Sequence, residues 1–315
     1  MLIKQKALFL SVFIIVLMTV INASGSTWRL GEQQDWQQVG DDQQGQYLLA
    51  VSEIKRSISD GDVKKLGVQL DSFRKDFPGI AGADFDDFVK AEEFFAEAKF
   101  NKAVRAYEKF LQDHPSSVFY ESSLERLYQI STAFLNGQKI RFLKIFKIRG
   151  YEEGARLIDK IADVSGDRPI AKRALVFLAE NYEKRGKFFD AYQTWSDISY
   201  RWPTGDLQKQ ALMGMARSLY LEYKGPRYDV SGLISSKGFY QNYKLRYPED
   251  AAKQDIDKII EQIDEQIAYK QYTIAQYYEK TSSSQAANLY YQQVVDDWGN
   301  TRTSVLAEEK VRSGN

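Results

Sequence analysis

Residues 84–117 read DFDDFVKAEEFFAEAKFNKAVRAYEKFLQDHPSS, and residues 172–205 read KRALVFLAENYEKRGKFFDAYQTWSDISYRWPTG. The two segments align without a gap. Ala91, Phe94, Phe100, Ala103, Tyr107, Phe110 and Pro115 of the first stand where Ala179, Tyr182, Phe188, Ala191, Trp195, Ile198 and Pro203 stand in the second. Apolar residues recur at three- and four-residue intervals on both sides of a short turn, which predicts paired helices rather than strands. One alanine in each helix lets two antiparallel helices approach closely. The aromatic three or four residues later fills the groove beside that contact. Proline closes the second helix because it cannot continue the hydrogen-bond ladder.

This is the pattern of the tetratricopeptide repeat (TPR), and further copies follow. Residues 268–301 place Ala275, Tyr278, Ala287, Tyr291 and Val294 in register, with Trp298-Gly299 where proline would sit. Residues 47–80 match weakly, through Gly61, Phe73 and Pro78. Two more copies carry insertions. Ser131 and Phe134 open a repeat that resumes at Tyr151, Gly154, Ile158 and Ile161, after an insertion at 139–149. Ala216 and Leu219 open another that resumes at Leu233, Ser236, Tyr240, Tyr243 and Pro248, after an insertion at 225–232. The expected fold is all-α: a TPR-like α-solenoid of five to six antiparallel helix pairs over residues 47–315. A polar helix, Thr301 to Arg312, would cap its end.

The first 25 residues carry Lys4 and Lys6, then an apolar run from Ala7 to Ile21, then Ala23, Ser24 and Gly25. They read as a signal peptide, or failing cleavage as an anchor, so the folded part is expected outside the cytoplasm. Residues 26–46 contain seven glutamines and read as a polar spacer.

Lys+Arg and Asp+Glu both number 43 in the 315 residues, so no basic excess points to nucleic acid. There is no cysteine, and His114 is the one histidine. Thiolate chemistry, disulfides and multi-histidine metal sites are excluded. His114, beside Pro115, reads as a helix-end residue. Gly-rich phosphate loops are absent. The acidic pairs Asp86-Asp87, Glu92-Glu93, Asp296-Asp297 and Glu308-Glu309 are sequence neighbours, which diverge on a helix, and read as solvated faces. No catalytic residue, cofactor or metal is expected, and the chain reads as a non-enzyme.

Helical-repeat stacks bind through a concave wall made by the first helix of each pair. Here that wall would carry Phe85, Phe88, Glu92 and Phe95, then Tyr128 and Leu135, then Arg173 and Val176. Its N-terminal half is aromatic and suits an extended peptide or a partner helix. The alternative is that Phe85 and Phe88 are core, packed under residues 47–80.

The 139–149 insertion, KIRFLKIFKIR, has five basic residues and no acidic one. It does not segregate on a helical wheel. Read as extended chain, Ile140, Phe142, Lys144, Phe146 and Ile148 share one face; Lys139, Arg141, Lys147 and Arg149 fall on the other with Leu143 and Ile145. That predicts a hairpin-like excursion bracketed by Gly137 and Gly150. It has three open destinations: back onto its own repeats, onto a partner protein, or onto a membrane surface.

The passages FNKAVRAYEKFLQDHPSS (100–117), GKFFDAYQTWSDISYRWPTG (186–205) and LISSKGFYQNYKLRYPEDA (233–251) resemble the BamD family, the TPR component of the outer-membrane β-barrel assembly machinery. The resemblance spans about residues 46–312. It implies a periplasmic, outer-membrane-associated scaffold acting as a monomer within a complex. It also implies a barrel-assembly subunit and unfolded outer-membrane protein segments as partners, the latter received by Phe85, Phe88, Phe95 and Tyr128. One feature departs from that family: its members are anchored through a lipidated cysteine, and this chain has none. The rival expectation is a general cell-envelope TPR adaptor for cell-wall or secretion proteins.

Overall fold

The structure is a computed structural model describing residues 28–30, 36–38, 43–79, 82–142 and 146–313. The expected signal segment, residues 1–25, lies outside the described residues. The chain divides into two compact units, Met1–Pro78 and Gly79–Asn315.

In the first unit, strand β1 (Trp28–Leu30) pairs antiparallel with β2 (Trp36–Gln38), in the register Trp28↔Gln38 and Leu30↔Trp36. Helices α1 (Gln43–Asp60) and α2 (Val63–Asp76) follow. The Asp62 carboxylate accepts the Lys65 N–H at 3.0 Å and starts α2. Tyr47, Phe73 and Phe77 form a ring cluster with centroids 5.1 to 5.8 Å apart.

The second unit is a run of five helix pairs among the described residues: α3 (Ala83–Ala96) with α4 (Phe100–Asp113), α5 (Tyr120–Leu135) with α6 (Tyr151–Ser165), α7 (Pro169–Lys184) with α8 (Phe188–Arg201), α9 (Gly205–Glu222) with α10 (Ser231–Arg246), and α12 (Ile256–Lys280) with α13 (Ser284–Asp297). The short helix α11 (Pro248–Lys253) bridges the last two pairs, and α14 (Arg302–Ser313) ends the run. Each helix packs on its sequence neighbours, and α5 also reaches α7. The all-α, TPR-like architecture is as the periodicity predicts. No described helix is long and apolar enough to cross a membrane.

The small residues sit where the pairs touch. Ala91, Ala103, Ala179, Ala191, Ala216 and Ala275 are fully buried, and Ala287 nearly so. In the second pair Gly154 faces Ser131: a Cβ on Gly154 would lie 3.0 Å from the Ser131 carbonyl and 2.8 Å from Leu135 Cγ. Ser236 replaces alanine in α10, and its hydroxyl donates to the Ala216 carbonyl at 2.7 Å, so its burial leaves no polar group unmet. Gly214 is tighter still, since a Cβ there would lie 2.4 Å from the buried ring of Trp195.

Both helix ends repeat as well. Five of the six first helices described, all but α9, end in a left-handed residue: Gly61, Ala98, Gly137, Gly186 and Ser282 have φ from +53° to +94°. The next N–H then reaches back five residues, as from Lys99 to Phe94, Gln138 to Ala133, Lys187 to Tyr182 and Ser283 to Tyr278, at 2.9 to 3.0 Å. Five of the six second helices described, all but α6, end on a ring: Phe77, His114, Trp202 and Tyr247 each precede proline, and Trp298 precedes Gly299. Proline bars the preceding residue from helical angles. These five caps share φ near −130°, and each N–H bonds the carbonyl four residues back. His114 is thus the helix-end residue expected, with Nε2 3.0 Å from Asp87 Oδ2.

The 139–149 insertion forms a hairpin of β3 (Lys139–Phe142) and β4 (Phe146–Arg149). The Gly150 N–H closes its base on the Gln138 carbonyl at 3.0 Å. The 225–232 insertion begins in the non-helical connection after α9, and its last two residues already belong to α10. The Lys270 ammonium ties this connection to α12 by donating to the carbonyls of Pro226 and Tyr228, at 3.0 and 2.8 Å. At the C-terminal end the Glu265 carboxylate takes the Arg302 and Thr303 N–H groups at 2.8 and 3.2 Å, satisfying the first turn of α14.

Candidate interaction surface

The first helices of successive pairs are joined by a polar ladder. Its lower rung links α5 to α7: the Arg173 guanidinium pairs with Glu125 and lies 4.6 Å from the Tyr128 ring centroid. Tyr128 meets Phe177 edge-on at 6.1 Å. Partial burial, the largest influence, pushes the Tyr128 phenol above its ordinary pKa, with Arg173 opposing and Glu125 and Glu180 adding to it. The next rung links α7 to α9, where Arg217 donates to both Glu183 carboxylate oxygens at 2.8 to 3.1 Å. Gln266 of α12 donates to the Tyr220 hydroxyl at 3.2 Å. Tyr128, Val176, Phe177, Met213, Arg217 and Tyr220 are half-buried, and Arg173 is exposed. Such a face offers rings, cations and carboxylates already fixed in place.

A second polar device recurs three times. A carboxylate late in the first helix accepts a ring donor from the second helix and a cation from the next first helix or cap. In the first copy Glu92 accepts the Tyr107 hydroxyl at 2.5 Å and Arg126 at 2.9 to 3.1 Å. In the second Glu183 accepts the Trp195 indole N–H at 2.8 Å and Arg217. In the third Glu279 accepts the Tyr291 hydroxyl at 2.8 Å and Lys310 at 2.9 Å. The hydrogen bonds to Lys310 and Tyr291 pull the Glu279 carboxyl below its ordinary pKa. Burial raises the Tyr107 phenol well above its usual value, with the Glu92 charge adding to the effect.

These observations redraw the wall expected from sequence. Phe85 and Phe88 are core, 1% and 0% exposed. They are covered from the C-terminal side, by Phe119 at 5.9 and 4.6 Å, the latter stacked. Phe88 also meets Phe110 at 5.8 Å. Glu92 is buried in its ion pair and is not a solvated face residue. Leu135 is buried, and its carbonyl accepts the Asn181 amide at 3.1 Å. Phe95 is half-buried and covers the Arg126 guanidinium, which lies 4.2 Å from its ring centroid. Of the eight wall positions, Tyr128, Arg173 and Val176 remain on the ladder. Arg217, which the repeat register also puts on this face, joins them, as does Phe177, which was unforeseen as a contact residue.

Of the basic insertion, Lys139, Arg141, Phe142, Phe146, Lys147 and Arg149 lie on the two strands, whereas Lys144 falls outside the described residues. Among the described residues no group of three or more His, Asp or Glu could hold a metal ion.

No protein-family model matches the chain, and no curated protein matches it. Solved helical-repeat structures are similar to it at low identity. A tetratricopeptide repeat protein from Parabacteroides merdae is 12% identical, over 85% of this chain and 98% of that one, with a TM-score of 0.34. PilW, a type IV pilus biogenesis factor, is 13% identical over 82% of this chain and 97% of its own, with a TM-score of 0.31. The TPR domain of P58(IPK) is 12% identical over 85% of this chain and 65% of its own, with a TM-score of 0.22. The chain is distantly similar to several TPR proteins.

Proposed function

We propose that this chain is an exported, BamD-like scaffold of the periplasm that takes part in assembling β-barrel proteins at the outer membrane. The observation carrying the reading is the ladder of Tyr128, Arg173, Phe177, Arg217 and Tyr220 on the first helices of three consecutive pairs. A ladder of fixed rings and charges suits an extended segment, whose backbone offers donors and acceptors and whose side chains need shallow apolar contacts. The basic and apolar opening residues read as an export signal, and the three BamD-like passages supply the family resemblance. The receiving surface moves accordingly from Phe85 and Phe88 to the ladder.

A general cell-envelope adaptor is the second reading. The mixed charge of the ladder favours it, because paired Arg and Glu also suit a folded, charged partner. Capture from an envelope extract separates the two. The assembly reading expects a large β-barrel subunit on the wild-type chain, weakened roughly tenfold or more in a Tyr128→Ala/Arg173→Ala variant that melts normally. Recovery of cell-wall synthases instead would replace assembly with the adaptor role. Capture that ignores the double variant would remove the ladder from either role.

A further inference from the structure

The hairpin between α5 and α6 pairs like with like. Its register is Lys139↔Arg149, Ile140↔Ile148, Arg141↔Lys147 and Phe142↔Phe146. Directly opposed residues of an antiparallel pair share a face, and neighbours along a strand alternate. The backbone therefore assigns Ile140, Ile148, Phe142 and Phe146 to one face. Lys139, Arg149, Arg141 and Lys147 are assigned to the other. A two-stranded hairpin is marginal by itself in water, and like charges directly opposed weaken it further. Among the described residues the two strands make their main contacts with each other.

The basic character continues beside the hairpin. Arg149 donates to the Tyr151 hydroxyl at 2.8 Å, and the Arg185 guanidinium lies 3.6 Å from the centre of the same ring. Lys184 and Lys187 flank Arg185, and Phe189 just beyond is 54% exposed. This end of the second and third pairs gathers cations beside the exposed Phe189 ring, in a chain whose charges balance overall.

We propose that the β3–β4 hairpin seats the second unit on a bilayer containing anionic lipid. An acidic protein segment would answer the cationic face and leave the apolar face unanswered. A bilayer surface answers both. The acyl boundary accepts Ile140, Phe142, Phe146 and Ile148, and headgroup phosphates draw the lysine and arginine stems. Both weaknesses of the isolated hairpin are relieved there, since the apolar face leaves water and anions separate the opposed cations. The contact is peripheral, and it goes beyond the scaffold role, which fixes no attachment.

The test is flotation of the full chain with vesicles of phosphatidylcholine alone and of phosphatidylcholine mixed with phosphatidylglycerol. The readout is the ratio of the two partitions, so any contribution of residues 1–27 that is insensitive to lipid charge cancels. The wild type should prefer anionic vesicles by roughly tenfold or more, and salt should erode the preference. Replacing Lys139, Arg141, Lys147 and Arg149 together by glutamine should bring the ratio to one with the melting temperature unchanged. Lys253→Gln/Lys258→Gln should leave the ratio as it was. Phe142→Ser/Phe146→Ser should lower binding to anionic vesicles. A wild-type ratio of one overturns the proposal, as does a preference that survives the fourfold glutamine variant. An acidic envelope protein retained through these four residues, without vesicle preference, would assign the hairpin to a protein instead.

Discussion

Two ion pairs in the second unit span the same 34 residues and differ in their surroundings. Arg126 and Glu92 are 0% and 4% exposed, whereas Arg217 and Glu183 are 43% and 14% exposed. The chemistry is shared: an arginine fork on a carboxylate that also accepts a ring donor. In the first pair it lies under the Phe95 ring and is sealed from water. In the third it lies open on the ladder. One device is therefore sealed core in one copy and open to solvent in the other. What differs is desolvation, which a buried charge must recover entirely from its partners.

The largest expected effect follows from that difference. Arg126→Met leaves the Glu92 carboxylate buried with Tyr107 as a remaining donor, and should cost about 3–5 kcal/mol in denaturant unfolding. Adding Glu92→Gln should recover much of the loss. If the double variant is as unstable as the single one, packing of the guanidinium on Phe95 carries the stability and the contrast fails.

Arg217→Met should cost only about 1 kcal/mol or less, because Glu183 keeps water, Trp195 and Ser218 as donors. Its loss should also shrink in high salt. A cost equal to that of Arg126→Met would show the two pairs to be energetically alike.

The smallest effect sharpens the comparison at the neighbouring turns. Ala98, after α3, and Gly186, after α7, hold the same left-handed position, with φ of +53° and +70°. Ala98→Gly should stabilise by about 1 kcal/mol, and Gly186→Ala should destabilise by a similar amount. Thermal melting of both variants reads the pair of signs. Equal signs would mean that the two turns are not equivalent.

Much of this architecture is legible in the sequence because its causes are local. Alanine spacing fixes which faces can touch, and a ring before proline fixes where second helices stop. The hairpin is legible from alternation of apolar and basic residues at 139–149. The fate of Phe85 and Phe88 was not. Whether a helix face is wall or core depends on what lies over it, and here that is Phe119, at the end of a connection that reads as plain loop. The ion pairs were hidden for a related reason. Glu92 resembles any helix-surface glutamate until Arg126, one repeat later, is brought against it. The cue was available: acid and base separated by 34 residues in two repeats, with a ring donor 15 or 12 residues beyond the acid.

The left-handed closure at the end of α5 has a consequence for how this chain can vary. Gln138 completes its backward hydrogen bond to Ala133 before the hairpin begins, and Gly150 returns to Gln138 before α6 begins. The extra residues are thus spliced in at a seam that is already stitched on both sides. Doubling a loop at such a seam costs only about 0.6 kcal/mol in closure entropy. The seams after α3, α7 and α12 are stitched in the same way. They are natural entry points where new recognition segments can be grafted without loosening the repeats that carry them.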